Sequence, residues 1–385
     1  MPRLIKMLVM GVMPLLLAVV CCCSASSLSD VAVSWLDDLF DDPAIPMQTT
    51  VTQPLEITPS PSKSQSLATV TLEIFTPTPR PTATFTPTES PSAVLLAERY
   101  VTYDVVQSIL LTTEGRGKAT DINMNVALIR SISPYQVVVS REITPPQYTI
   151  LTDDYGNEYA YFIIDELDLD EQLIIEISYV VDVYEIRSVL GACQGDLPET
   201  DLQSERYIEV NDPIVVQLKD DLIAGKTTVC DQVLTFYDYL VDNMTYAGYN
   251  PGEKGAMEAL RTLEGDCTEF SDSMVALSRA AGIPARFLEG VVCCTTNGYA
   301  DGKHKHNWLE VYLPELGWTP MDPTWAQQPM ERNLYFAGIT PDHIIVTVGR
   351  NLERLGGYHY FYYTYNRESA ETRVTWQEEW SILIR

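Results

Sequence analysis

A single cysteine stands at the predicted start of a helix in LEGDCTEFSDSMVALSRAAGIPAR, residues 263–286. Asp266, a residue type that caps helices, precedes it, so Cys267 becomes the first helical residue. The unpaired N–H groups and the positive end of the helix dipole favour a thiolate at that position. A thiolate is a nucleophile, so the position suits covalent catalysis. A buried structural cysteine would explain the position equally well.

A cysteine nucleophile needs a general base, and the chain contains four histidines, His304, His306, His343 and His359. His306 opens the alternating segment HNWLEVYL, which is predicted to form a strand. His304 is a competing base, but it lies in the loop before that strand. We therefore expect His306 to be the base.

A carboxylate follows His306 across a predicted hairpin. The turn PELG, residues 314–317, separates HNWLEVYL from GWTPMDPTW. Positions 306 and 322 have the same parity, so an even-sum register would point His306 and Asp322 to one face. Asp322 could then fix the imidazole tautomer and stabilise imidazolium. A surface strand position for His306 and an Asp-Pro turn for Asp322 are the alternatives. Both alternatives carry less weight when Cys267 is considered as well, because the three residues together supply a nucleophile, a base and an orienting group.

Helices and strands that could position these residues are predicted from periodicity. Apolar residues at three- and four-residue spacings indicate three helices, over residues 212–225, 228–246 and 255–265. The helix that begins at Cys267 is predicted to be amphipathic, with an apolar face formed by Phe270, Met274, Leu277 and Ala281. Strands are predicted for the segments FLEGVV, HNWLEVYL and GWTPMD.

The remainder of the chain divides by composition. Residues 24–92 are rich in Pro, Thr and Ser, which predicts a disordered spacer. Residues 93–190 alternate Val, Ile and Tyr with polar residues between turn signals, which predicts an antiparallel β-sandwich domain. Residues 351–385 are predicted to be a β extension of the catalytic core.

The first 23 residues predict export. Two basic residues precede an apolar stretch, residues 7–20, which ends at three cysteines, residues 21–23. This order is typical of a secretory signal and resembles a lipoprotein signal, in which a cysteine carries the lipid. An uncleaved membrane anchor is the alternative. In both cases we expect a secreted or cell-surface protein that its N-terminus anchors to the membrane.

The charge balance bears on the partners. With 53 acidic against 25 basic residues, the formal net charge is −28. Nucleic acid and anionic membrane surfaces are therefore excluded as main partners, because binding to them relies on clustered Lys and Arg.

Five cysteines follow the N-terminal three, and an odd number leaves at least one thiol over if all pairing is intramolecular. Cys193 and Cys230 could form a disulfide. A zinc site is conceivable by ligand type from Cys293, Cys294, His304 and His306. Adjacent cysteines point apart, however, so we predict neither a metal nor a cofactor.

Two segments together resemble the transglutaminase-like superfamily of papain-type thiol enzymes. They are GDCTEFSDSMVALSRAAGIPARFLEG, residues 265–290, and HNWLEVYLPELGWTPMDPT, residues 306–324. The resemblance implies an α+β fold in which helices pack on an antiparallel sheet, with the catalytic domain over residues 197–350. It also implies that the preceding sandwich is similar to an immunoglobulin-like domain.

The resemblance implies roles for individual residues as well. Cys267, His306 and Asp322 match the positions of the superfamily's catalytic triad. Trp308 and Asp266 are candidates for the substrate or oxyanion site.

The superfamily includes peptidases, amidases and cross-linking enzymes. The expected activity is therefore acyl transfer from amide bonds through a cysteine thioester, on extracellular peptides or proteins, with cell-wall peptides among the candidates. A catalytically inactive, surface-displayed binding module with the same fold is the alternative.

Overall fold

The computed structural model describes residues 94–250, 252–293, 305–328 and 331–385. The predicted signal and spacer, residues 1–92, lie outside the described residues, as do Cys294 and His304. None of the helices in the described ranges combines the length and the apolar character that a bilayer crossing requires.

From residue 94 onward, six antiparallel strands come before the first helix that the structure describes, where the alternating pattern predicts strands. They are β1 Val94–Glu114, β2 Ala119–Leu128, β3 Gln136–Thr144, β4 Thr149–Thr152, β5 Glu158–Leu167 and β6 Gln172–Ser188. Short strands β7 (Thr245–Tyr246) and β8 (Glu264–Gly265) pair in parallel beside the candidate nucleophile.

Three later strands complete two sheets with the first six, namely β12 Gly338–Ile339, β14 Phe361–Arg367 and β15 Arg373–Ile384. One sheet has the order β12-β6-β1-β15, with β3 also on β6, and the other has the order β14-β2-β5-β4. Buried side chains from both sheets, such as Ile109 of β1 and Met124 of β2, form one hydrophobic core. This arrangement is compatible with the predicted sandwich, whose immunoglobulin-like character stays a prediction.

The C-terminal strands lie elsewhere than the sequence predicts. We expected residues 351–385 to extend the catalytic core, but β14 hydrogen-bonds to β2 and β15 hydrogen-bonds to β1. The register of β15 runs from Tyr103 opposite Ile384 to Glu114 opposite Arg373. Alternate residues of β15, such as Val374 and Ile382, enter the core shared by the two sheets, so burial of this apolar face favours the pairing.

Four helices follow β6, namely α1 Pro213–Ile223, α2 Val229–Asn243, α3 Gly255–Thr262 and α4 Cys267–Ala280. Asp212 and Thr228 cap the first two through their side-chain oxygens. A disulfide between Cys193 and Cys230 links the segment after β6 to the first turn of α2. The pairing that the sequence left open is therefore present.

Helix α4 is buried on every side rather than amphipathic. Each residue from Thr268 to Arg279 is buried, because the other helices pack on one side and a sheet packs on the other. The polar side chains on its predicted solvent face are satisfied inside the protein instead. Asp272 pairs with Arg350, and Arg279 pairs with Glu205.

The sheet below α4 has the order β11-β10-β9-β13. Its strands are β9 Ala285–Val292, β10 Lys305–Leu313, β11 Gly317–Met321 and β13 His343–Val348. Helix α4 packs on β9 and β10, which gives the expected α+β core of helices on an antiparallel sheet.

Polar side chains of the N-terminal strand region are hydrogen-bonded to this core. Gln136 donates to the carbonyl of Ile345 and accepts from its N–H, and Asn157 makes the same pair of bonds with Val348. The predicted boundaries near residues 190 and 350 stay predictions, and these four bonds cross the one near residue 190.

Candidate active site

Cys267 is the first residue of α4 and the free cysteine of the described residues. Asp266 caps the helix by accepting from the N–H of Thr268 at 2.8 Å. Glu269 completes the capping box, because its carboxylate accepts the N–H of Asp266 at 3.0 Å. Two reciprocal bonds therefore hold the turn that presents the Cys267 thiol.

His306 and Asp322 meet on one face of the predicted hairpin. Leu309 lies opposite Met321 and Tyr312 opposite Trp318, which is the expected even-sum register. His306 Nε2 lies 2.7 Å from Asp322 Oδ2. Because Nε2 faces the carboxylate, Nδ1 is the ring nitrogen that remains for a second partner.

The environment of His306 favours its charged form. Burial lowers the pKa of His306, but the charge of Asp322, the hydrogen bond to Asp322 and the neighbouring Cys267 together raise it to about 9. Burial raises the pKa of the Asp322 carboxyl, but His306 and His343 hold it well below its usual range. The imidazole therefore contacts an ionised carboxylate.

Asp322 is held by two backbone groups as well. Its Oδ1 accepts the N–H of Thr324 at 2.9 Å and that of Trp325 at 3.1 Å. The Asp-Pro turn considered as an alternative role is thus also present, since the same carboxylate caps the turn and contacts His306.

A hydrogen bond ties the strand of His306 to the helix of Cys267. Asn307, the next residue on β10, donates from Nδ2 to Thr268 Oγ1 at 2.9 Å, and both side chains are buried. This bond fixes β10 beside the first turn of α4, which sets the position of the histidine relative to the thiol.

The two candidates for the oxyanion site lie away from the open surface. Asp266 is 3% exposed, and its carboxylate accepts the N–H groups of Asn250 and Thr268, so it acts as a cap. Trp308 is buried and stacks on His306, with ring centroids 5.8 Å apart. Its Nε1 has no hydrogen-bond partner among the described residues. Neither residue lines the cleft at Cys267.

A second histidine, His343 of β13, touches the same carboxylate. Its Nε2 lies 3.4 Å from Asp322 Oδ2, and its Nδ1 lies 2.7 Å from Asp342 Oδ1. In the sequence, His343 is one of four histidines and has no predicted role. The adjacent Asp342 and the apolar strand HIIVTV were the signals of a buried, charge-paired imidazole.

His306, Asp322 and His343 place metal-ligand atom types within 4.8 Å of one another. The 2.7 Å between His306 Nε2 and Asp322 Oδ2 is a hydrogen-bond distance. Two ligands on one zinc ion lie roughly 3.3 Å apart, because each bond is about 2.0–2.1 Å long. The geometry is therefore that of a hydrogen-bonded cluster. Of the zinc set considered from sequence, Cys293 is disulfide-bonded and so offers no thiolate.

A cleft of about 650 Å³ opens at Cys267 and His306. One wall comes from the second half of the chain and includes Trp325, Glu331, Tyr335, Thr340 and Asp342. The facing wall comes from β1, β6 and β15 and includes Arg99, Tyr103, Glu185, Arg187 and Ile384. The region that is predicted to be a β-sandwich domain thus contributes residues to the cleft.

The segment that contains Cys267, His306 and Asp322 resembles a known class of domain. Residues 216–323 match the profile of the transglutaminase-like superfamily, so the chain contains a transglutaminase-like domain. The Bacillus subtilis protein YebA, which is uncharacterized, is 32% identical over 143 residues, or 31% of this chain and 19% of YebA. The protein-glutamine gamma-glutamyltransferase of Pseudomonas aeruginosa is 36% identical over 73 residues, or 18% of this chain and 11% of that protein. The matches thus span about a fifth or less of the length of these two relatives.

The solved structure of a candidate cysteine protease from Cytophaga hutchinsonii is similar to a larger part of the chain. It has a TM-score of 0.50 and 15% sequence identity, and the match covers 74% of this chain and 98% of that one. At this identity the likeness shows a shared fold.

Proposed function

We propose that the protein is a thiol enzyme that transfers acyl groups from amide bonds through a cysteine thioester. Cys267 is the nucleophile, His306 the general base and acid, and Asp322 the group that orients His306. The observation that carries the proposal is that Cys267 and His306 line one open cleft and that His306 Nε2 lies 2.7 Å from Asp322 Oδ2.

Acylation begins when the thiol proton passes to His306 Nδ1, because Asp322 holds Nε2. The sulfur of Cys267 attacks the amide carbonyl carbon, and the carbonyl oxygen becomes an oxyanion. The backbone N–H of Cys267 is the donor that the start of α4 offers to this oxygen. The C–N bond then breaks as His306 returns its proton to the leaving amine, and the acyl group stays on sulfur.

Deacylation uses the same groups in reverse. His306 takes a proton from water, the resulting hydroxide attacks the thioester carbon, and the C–S bond breaks. His306 then returns the proton to Cys267, and the product is a carboxylic acid. An amine in place of water would give a new amide. We favour hydrolysis, because nothing in the sequence identifies an amine-acceptor site.

Export and membrane anchoring by the N-terminal segment are part of the proposal. The order of charged, apolar and cysteine residues in positions 1–23 supports it. The disulfide between Cys193 and Cys230 also supports it, because such bonds persist in oxidising compartments. Extracellular peptides and proteins, including cell-wall peptides, are then the substrates to test. Protease treatment of intact cells that express the full chain should digest the domain, and protection of the domain would contradict export.

The enzymatic proposal is tested by incubating the full chain with protein substrates, synthetic peptides and cell-wall peptides. Mass spectrometry reads hydrolysis as a gain of water and amide exchange as the mass of an added amine. We expect the wild type to turn over at least one class and Cys267→Ser to be inactive on it. Ser271→Ala, which removes a hydroxyl one turn further along α4, is the matched control and should retain activity.

The alternative, an inactive binding module with this fold, predicts that the Cys267 thiol has ordinary reactivity. In that case Cys267 would react with iodoacetamide no faster than a free cysteine at neutral pH, and Cys267→Ser would change no assay. That pair of results would overturn the enzymatic proposal.

A further inference from the structure

His343 has a carboxylate at each of its ring nitrogens. Nδ1 lies 2.7 Å from Asp342 Oδ1, and Nε2 lies 3.4 Å from Asp322 Oδ2. Thr340 donates its hydroxyl to the same oxygen of Asp342 at 2.5 Å, which holds that carboxylate in place. A neutral imidazole has one N–H and would point a lone pair at one of the two carboxylates. An imidazolium satisfies both, so the geometry selects the charged form.

Aromatic rings hold the His343 ring in this orientation. Its centroid lies 4.7 Å from that of Trp325 and 5.0 Å from that of Trp308, both at steep interplanar angles. Tyr335 contacts it at 5.8 Å, and the side chain is 1% exposed. Rotation of the ring, which would release Asp322, is blocked by this packing.

The strand order of the sheet places the two histidines beside each other. On β9, Gly290 lies opposite His306 of β10 and opposite Ile345 of β13, and Val292 lies opposite His343. A Cβ at Gly290 would come within 2.5 Å of the Trp308 ring. The missing side chain gives Trp308 room, and Trp308 contacts both imidazoles.

We propose that His343 is a positioning residue for the candidate active site, a second imidazolium that shares the Asp322 carboxylate with His306. It holds Asp322 in place and limits how strongly that carboxylate retains the proton on His306. The inference rests on the proposed function, because it assigns His306 the role of proton carrier.

This arrangement matters because a general acid must release its proton. Asp322 alone would stabilise the His306 imidazolium and delay proton return to the leaving amine. The positive charge of His343, with ring centroids 5.6 Å apart, repels the charge on His306 and offsets part of that stabilisation. His343 thus keeps the proton of His306 transferable.

The charged and titratable groups around His343 come from four directions. They are Asp342 next to it in the chain, Asp322 after β11, His306 on β10 and Tyr335 before β12. Glu331 faces Asp342 and Asp322 from the cleft, and burial and these two anions raise its pKa. Burial lowers the pKa of His343, but Asp342 and Asp322 raise it to about 9, in agreement with the charged form.

The test measures alkylation of Cys267 by iodoacetate as a function of pH. This anionic reagent reacts fastest while Cys267 is a thiolate and His306 is an imidazolium, so the rate falls as His306 loses its proton. In His343→Gln the side-chain amide can still donate to Asp322, but the positive charge is absent. We expect the falling limb of the profile of rate against pH to move to higher pH by about 1 to 2 units. The size of the shift follows from the repulsion that two charges at this separation exert on each other, which the variant lacks.

His359→Gln is the matched control. His359 also has a carboxylate at each ring nitrogen, Glu253 and Glu289, but it contacts neither Asp322 nor His306. Its falling limb should stay at the wild-type pH. A falling limb in His343→Gln that also stays there, whatever the maximal rate, would overturn the inference while leaving the proposed function intact. A wild type with no falling limb would overturn both.

A second measurement needs no variant. In a ¹⁵N spectrum of the wild-type protein with labelled histidine, the His343 ring should carry protons on both nitrogens at pH 7.5. A neutral His343 at that pH would overturn the inference even if the Gln substitution prevented folding.

Discussion

Asp322 is the residue on which the candidate site converges, since its four hydrogen-bond contacts come from two histidines and two backbone groups. Oδ2 faces both imidazoles, and Oδ1 accepts from the turn that follows the hairpin. A carboxylate held from both sides cannot turn, so the orientation of His306 depends on it. Only a substitution that keeps the shape of the Asp322 side chain can therefore separate the effect of its charge from the effect of its geometry.

Asp322→Asn tests that charge. The amide keeps the shape of the side chain but cannot stabilise an imidazolium, so we expect the rate of Cys267 alkylation by iodoacetate at neutral pH to fall about 100-fold or more. Asp153→Asn is the control, because Asp153 is another carboxylate that caps a turn, in the loop between β4 and β5. An unchanged rate in Asp322→Asn would remove Asp322 from the proposed mechanism.

The two buried imidazoles also predict how stability depends on pH. The pKa values of His306 and His343 are about 9, because carboxylates hold their charged forms despite burial, against an ordinary value of 6.5. Groups whose pKa is raised by folding stabilise the folded state fully below the unfolded value, and the stabilisation is lost as pH rises through the folded value.

We therefore expect the free energy of unfolding to fall between pH 6.5 and about 10, by up to about 3 kcal/mol for each histidine. Urea denaturation at several pH values measures it. The fall should be smaller in His343→Gln, and a free energy that rises over this range would contradict the assignment.

At the scale of secondary-structure elements, α4 is held by partners that are distant in sequence. Arg350, which follows β13, pairs with Asp272 in the middle of α4 and with Glu253 before α3. The Arg350 side chain is 2% exposed and that of Asp272 is 0% exposed. Burial raises the pKa of Asp272 and Arg350 opposes this rise, so loss of the guanidinium would leave a buried acid without its cation.

Arg350→Met should accordingly destabilise the protein by about 3–5 kcal/mol, because breaking one partner of a buried pair leaves the other uncompensated. Arg332→Met is the matched comparison. Arg332 pairs with Asp238 and Asp242 at the surface, where such pairs contribute roughly 0–1 kcal/mol. Equal losses in the two variants, measured by urea denaturation, would show that the buried network does not support α4.

At the scale of the whole molecule, the cleft is lined by strands that lie far apart in the sequence. Tyr103 and Arg187 line it from β1 and β6, and Ile384 lines it from β15. Strand β13 buries Ile344 and Val346 in the core that belongs to the two N-terminal sheets. Residues 197–350, the predicted catalytic domain, therefore share a core with these sheets and form only part of the cleft wall.

A fragment of residues 197–350, the predicted catalytic domain, is expected not to fold by itself. Its apolar face on β13 would be exposed, and the hydrogen bonds from Gln136 and Asn157 would be lost. Circular dichroism and iodoacetate labelling would compare it with a chain of residues 93–385. A folded fragment with wild-type labelling would mean that the two parts are independent.

The disulfide offers a second test at this scale. It joins Cys193 to Cys230 across a separation of 37 residues. Closing a loop of that size stabilises the folded state by about 4 kcal/mol in the chain-entropy model. The double substitution Cys193→Ala and Cys230→Ala should lower the free energy of unfolding by roughly that amount and leave Cys267 labelling intact. A stability unchanged from that of the wild type would contradict this expectation.

Much of the candidate site was predictable because its information is local. A cap residue followed by Cys267 predicts a helix that starts at the thiol, and structure places α4 there. Equal parity across a short hairpin predicts that His306 and Asp322 share a face, and the register confirms it. These inferences need only the periods of helices and strands, which the sequence carries within about 20 residues.

Three features could not be predicted, because each depends on contacts between distant segments. His343 reaches Asp322 only because β13 pairs with β9, and Asp272 can be buried only because Arg350 lies against α4. Strand β15 pairs with β1, about 270 residues earlier, because its apolar face completes a core that the sequence pattern does not assign to it. Alternation and helical spacing identify which face of an element is apolar. The tertiary structure alone decides what covers that face, and thereby which charges meet inside the protein.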